Sequence, residues 1–298
     1  MPKKPNSKAR DKLISDLDRQ LSHAVEIAQR DFYETVREYY ESHFLLDRNG
    51  NVRTNATNYA KLNGINNLIE EFAKQKGVKI SKKVALGMLS ISAENIKYFT
   101  QQIRLQNEVK RKVQTSLLLR YGAKLRDKKV IIDKGSWLHG LARPAAAFSR
   151  IQDIGIDAVA QGMPLQTFRK VVKQAAFDTG ARSIKHHFDT EAVDVYARFD
   201  RSAQKEFADS VNFRAFIYEG GLIDTSRDWC ERHNGKVYLI SEAEKWKNET
   251  WAGKNKDYEP LRDMGGYRCR HHPSFISDEL AIAFRPELRD IFDKMDNG

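Results

Sequence analysis

Residues 213–240 read FRAFIYEGGLIDTSRDWCERHNGKVYLI, and this stretch decides how the chain is built. Before it, apolar residues recur at three- and four-residue spacing. Here aromatic and β-branched residues gather around Gly220-Gly221 and Gly235, which is the texture of short strands joined by turns. A second glycine-flanked stretch, GGYRCRHHPSF at residues 265–275, returns to an extended pattern. The expected fold class is therefore α+β: a mainly α-helical N-terminal and central region, then a small Gly-rich β-containing module of zinc-ribbon-like kind.

Working outward, the helical part is legible from its periodicity. Leu13, Leu17, Leu21, Val25, Ile27 and Phe32 predict a helix from Asp11 to about His43. The run LLDRNGNVRTNATN then breaks the pattern. Asp47, Asn49 and Asn51 match an EF-hand loop for three positions, but Val52 stands where its glycine belongs and Asn58 where its glutamate belongs, so a turn between short extended segments is expected. A second helix covers Asn58 to Lys76, with Gly77 as its stop. Ser81 to Leu119 predicts one amphipathic helix or two, with Lys97, Arg104 and Arg111 seven apart along one side. Pro144 marks a boundary at Arg143. Two short helices follow, separated by Gly162-Met163-Pro164, and a longer one runs from Ala181 to Ser210 with His186 and His187 on its surface. Ser241 is the expected cap of a further short helix, with Glu244 three residues on. The expected divisions are residues 1–10 as a disordered basic tail, 11–143 as a helical basic docking region, 144–215 as a second helical segment, 216–277 as the Cys/His module, and 278–298 as a tail ending in a docked helix.

Composition narrows the class. At 298 residues the chain can bury a substantial core, and 41% hydrophobic against 31% charged residues suits a helix-rich soluble protein. No run of eighteen apolar residues suggests a membrane span, and the basic N-terminus lacks the apolar stretch of a secretory signal. Two cysteines point to an intracellular protein, not a disulfide scaffold. The net charge of +11 is regional: from Lys74 to Val130 there are fifteen Lys/Arg against three acids, so that segment alone is +12. Such a segment fits an acidic partner, nucleic acid or protein, or else a solvated helical face.

Both cysteines lie beside histidines. Cys230 and His233 form C-x-x-H; Cys269, His271 and His272 form C-x-H-H. Four ligands, Cys230, His233, Cys269 and His271, would suit tetrahedral zinc, which prefers thiolate and imidazole. The same spacing also admits two cysteines simply buried in contact. A His-Asn-His-type, metal-dependent nuclease is the enzymatic alternative, with ERHNGKV and CRHHPSF as sources of histidine and asparagine. No carboxylate or second histidine at helical spacing completes its metal site.

FIYEGGLIDTSRDWCERHNGKVY (216–238), then a tryptophan, a Gly-rich loop and GGYRCRH (265–271), resembles the C-terminal signature of phage Mu protein F-like minor head proteins, the phage head morphogenesis family. The resemblance runs from roughly Ile151 to Ser277, so that residues 144–215 would be the helical core of that domain. Several family branches carry C-x-x-C where this chain has Cys230 and His233, and a further cysteine pair that this chain lacks. The resemblance implies a non-enzymatic structural virion protein, present in few copies in the capsid interior or at the portal vertex, and in the host cytoplasm during assembly. Its implied partners are the portal protein, other capsid components and packaged DNA, and its implied roles are head morphogenesis and DNA delivery. Some relatives append a toxin or ADP-ribosyltransferase domain, for which the twenty-odd residues after this signature leave no room.

Overall fold

A 36-residue helix, α1 (Lys8–His43), opens the computed structural model, which describes residues 7–127, 129–192 and 194–297. There follow α2 (Ala56–Phe72), a π-helical turn (Ala73–Gly77), α3 (Val78–Thr100), α4 (Asn107–Tyr121), β1 (Ala123–Arg126), β2 (Lys129–Ile132), α5 (Trp137–Leu141), α6 (Ala145–Ala160), α7 (Leu165–Phe177), α8 (Ile184–Glu191) and α9 (Val195–Ser210). The C-terminal part contains β3 (Ala215–Glu219), α10 (Asp228–His233), β4 (Val237–Leu239), α11 (Ile240–Ala243), a 3-10 turn (Glu244–Asn248), α12 (Pro260–Asp263), β5 (His272–Ile276), α13 (Asp278–Phe284) and α14 (Leu288–Asp296). The fold is α+β: helices with two small antiparallel sheets.

The chain forms two compact units, each assembled from separated stretches. One comprises the described residues of Met1–Asp18, Leu86–Arg120 and Asp194–Gly298; the other comprises Arg19–Ala85 and the described residues of Tyr121–Val193. This differs from the consecutive segments expected from sequence, because α1 and α3 each supply residues to both units. Residues 1–6 of the expected basic tail lie outside the described residues. Ser7 to Arg10 are not tail: α1 starts at Lys8 and Arg10 is 2% exposed.

In the second unit, Phe32 packs on Phe72 and Phe148, with ring centroids 4.7 and 6.0 Å away. The segment after α1 is the expected turn. Asp47 accepts from the backbone N–H of Asn51 and Asn49, both at 2.8 Å, and these bonds, Asn51's first, hold its carboxyl below the usual range. Gly77 does not stop a helix, since α3 follows directly at Val78. A Cβ there would lie 2.2 Å from the Ala142 carbonyl oxygen, so this glycine serves a close backbone approach. The β1–β2 hairpin, Ala123 opposite Ile132 through Arg126 opposite Lys129, was not expected; strands of four residues are too short to show alternation.

In the first unit the three-stranded sheet has the order β4-β3-β5, with Phe216 opposite both Tyr238 and Phe275. One face carries Ala215, Ile217, Leu239 and Ile276 and is covered by Leu280, Ala281, Leu288 and Phe292 from α13 and α14, so the expected docked C-terminal helix is a pair. The other face carries Phe216, Tyr218 and Phe275 against Trp246 and Trp229. The outer edge of β4 is closed by one ion pair. Arg285 donates to the Val237 carbonyl at 3.3 Å and to Glu242 at 2.6 Å, while Glu242 accepts from the Leu239 N–H at 2.8 Å. A sheet edge so occupied cannot recruit another strand. Glu242, and not the expected Ser241 with Glu244, thus provides the cap of α11.

One expected helix is broken, and the run expected as one helix or two is two. The run from Ala181 to Ser210 is α8 and α9, with Asp194 at φ +59° between them, and His187 is half-buried, its Nε2 3.2 Å from the Leu141 carbonyl oxygen. The run from Ser81 to Leu119 ends as α3 at Thr100 and resumes as α4 at Asn107. Lys97 is therefore in the last turn of α3, Arg104 in the connection and Arg111 in α4. All three are exposed, but they do not form a stripe along one helix.

Candidate metal centre

Two stretches of chain deliver the cysteine and histidine side chains. Cys230 sits inside α10, held by the burial of its neighbour Trp229, whose indole N–H donates to Glu249 at 2.7 Å. Cys269 and His271 lie just before β5. Their carbonyls accept from the buried Arg201 guanidinium of α9 at 2.9 and 3.0 Å, which fixes the backbone between them. The ligand atoms of Cys230, Cys269 and His271 all fall within 4.8 Å of one another, and all three residues are buried. This group can hold one metal ion.

The surroundings suit thiolates. Gly265 N–H donates to Cys269 Sγ at 3.2 Å, and the Tyr218 hydroxyl donates to Cys230 Sγ at 3.4 Å. The Cys230 thiol, then His271 and Arg201, hold the Cys269 thiol well below its ordinary value. Cys230, as the hydrogen-bond partner of that thiolate, is pushed up. Gly265 is required by space: a Cβ there would lie 2.3 Å from Cys230 Sγ and 2.9 Å from Cys269 Sγ.

His233 does not join the group. In α10 it lies one turn after Trp229, and the two rings pack with centroids 4.1 Å apart and planes tilted by 32°. Tyr238 and Trp246 approach the same imidazole at 5.4 and 5.1 Å, so it fills an aromatic pocket and not a coordination position. Cys230 and His233 are three apart on the helix, close enough to share a face, so it is the packing of the imidazole against Trp229, Tyr238 and Trp246 that keeps it out of the group. Burial lowers the His233 pKa to about 4. A histidine kept neutral contributes stability that is full above pH 6.5 and is lost as pH falls toward 4. Acidification across that window should destabilise the protein by less than about 1.4 kcal/mol per pH unit, one proton's full slope reduced by solvent screening. His233→Phe should flatten that part of the urea-midpoint profile; an unchanged slope would mean another group titrates.

Four contributors were not foreseen: Tyr218, Gly265, Arg201 and the fully buried Asp200. Asp200 and Gln204 are one turn apart on α9 among Phe199, Ala203 and Phe207. A polar pair on an apolar helix face was the available signal. Asp200 accepts from Asn95 at 2.8 Å and faces Arg10 at 3.5 Å.

Beside the centre is a cavity of about 620 Å³, lined by Cys230, Cys269 and His271 together with Asp11, Gly220 and Arg227, among others. Among the described residues no helix is long and apolar enough to cross a membrane. No protein-family model, curated protein or solved structure matches the chain.

Proposed function

We propose that the chain is a phage minor head protein, a structural component of the portal vertex acting in head morphogenesis or DNA delivery, with zinc bound at Cys230, Cys269 and His271. One observation carries this reading. The two stretches that bear the family resemblance, 216–238 and 265–271, meet at the buried Cys–Cys–His group, so the signature describes one physical centre. Its donor set fits zinc in kind and in size. Bonds of about 2.3 Å to sulfur and 2.0 Å to nitrogen at the tetrahedral angle require an S···N separation of about 3.5 Å. Cys269 Sγ and His271 Nδ1 are 3.6 Å apart. Zinc here would cross-link the ends of a module whose sheet has only three short strands, and its role would be structural.

Portal protein, other capsid components and packaged DNA are the proposed partners. Lys97, Arg104 and Arg111 are exposed cations of one unit, with Lys97 also paired to Glu94 at 2.5 Å. Reversing all three to glutamate should reduce incorporation into heads severalfold while leaving thermal stability within a few degrees, because surface substitutions cost little. Quantifying the variant in purified heads tests this. Normal incorporation would reduce these cations to a solvated surface. If DNA is the partner, affinity should also fall steeply with salt and show little sequence preference.

A further inference from the structure

We infer that the metal at this centre keeps one coordination position open toward the adjoining cavity, where it takes an exchangeable nitrogen or sulfur donor from outside the chain. This rests on the zinc reading above and adds to it. Zinc prefers four ligands, and sites with three protein ligands complete their shell with a bound molecule. Among the described residues the ligand group has three members. His233 is held in its aromatic pocket by Trp229. The Tyr218 hydroxyl is already used as a donor to Cys230 Sγ. Asp11 and Asp200 line the cavity but lie outside the ligand group.

The cavity wall supports an entering ligand. Cys230, Cys269 and His271 all face a space of about 620 Å³, far larger than the roughly 30 Å³ of one water. Gly220 keeps the wall open beside the imidazole, since a Cβ there would lie 2.7 Å from the His271 ring. His271 is 4% exposed, and with Nδ1 turned to Cys269 its Nε2 has no hydrogen-bond partner. Two thiolates neutralise a divalent ion, and Arg227 and Arg268 line the cavity beside Arg270, which is paired to Asp18 at 2.8 Å, so that an anionic donor such as a thiolate meets cations as well as the carboxylates of Asp11 and Asp200.

The test uses the full chain loaded with Co²⁺ in place of Zn²⁺, because cobalt ligand-field bands respond to each coordinated atom. One equivalent of Co²⁺ should bind with thiolate-type charge-transfer absorption. Titration with 2-mercaptoethanol, and more weakly with imidazole, should shift the ligand-field bands saturably. Gly221→Leu, which adds bulk at the cavity wall where a new Cβ meets no atom within 4 Å, should leave cobalt binding intact and weaken the response to 2-mercaptoethanol at least tenfold. Stoichiometric cobalt whose bands neither donor moves would overturn the open position and leave the zinc reading standing. Failure to bind cobalt would overturn both.

Discussion

Cys269→Ser should abolish stoichiometric zinc binding and destabilise the C-terminal module by more than about 3 kcal/mol. Structural zinc is worth about 10–16 kcal/mol in small peptides at neutral pH, and folding energy is where that affinity appears. The module has its own sheet core, with Ala215, Ile217, Leu239 and Ile276 under α13 and α14, so part of its structure should survive metal loss. Gly265→Ala should act in the same direction without touching a ligand, because its Cβ would displace both sulfurs. Zinc content and urea denaturation decide the matter. The wild type stripped by chelator should match the metal-free Cys269→Ser protein, and zinc restored to the wild type alone should recover its stability. A Cys269→Ser protein of unchanged stability would reduce the cluster to two thiols in contact.

The second large effect is expected at the opposite end of the sequence. Arg10 Nε lies 3.5 Å from Asp200 Oδ2, with side chains 2% and 1% exposed, and Arg10 also donates to Asn95 and Ser274 at 3.4 Å. Burial raises the Asp200 pKa, and the Arg10 charge opposes that rise. Arg10→Met should cost about 3–5 kcal/mol, the penalty of a buried charge left without its partner. The sign with pH follows. A carboxylate whose folded pKa lies above its unfolded value loses stabilisation as pH rises, so the Arg10→Met deficit should be largest at neutral pH and shrink on acidification. Adding Asp200→Asn should recover most of the loss, since the amide can still accept from Asn95. A double variant no more stable than the single one would show that Arg10 acts through packing alone.

These two regions differ in how far they could be read from sequence. The Cys–Cys–His group was legible because cysteine is scarce and sits in glycine-flanked stretches whose spacing restricts how the chain can fold. His233 was misplaced because C-x-x-H does not say which neighbours claim the imidazole; Trp229 one turn earlier, with Tyr238 and Trp246, supplied the aromatic pocket that decided it. The Arg10–Asp200 pair was hidden because Arg10 sits in a basic run that reads as tail. Only tertiary packing buries it, against residues some ninety and two hundred positions away. The helix break after Glu191 was missed, and the place of the break after Thr100, in a run expected as one helix or two, was not legible, for a related reason. Apolar periodicity continues across each break, and backbone conformation at single residues such as Asp194, φ +59°, interrupts the helix without changing the pattern.

The central claim is that this chain is a structural part of a phage head, and its most direct test is the composition of the particle. If it is, heads of the encoding phage, purified through a density gradient and treated with nuclease and protease, should yield peptides spanning both compact units. Quantitative mass spectrometry should place the protein at a small fraction of the major capsid protein's copy number and comparable to the portal protein's. Complete absence from such particles, while the protein is abundant in the infected cell, would contradict the account.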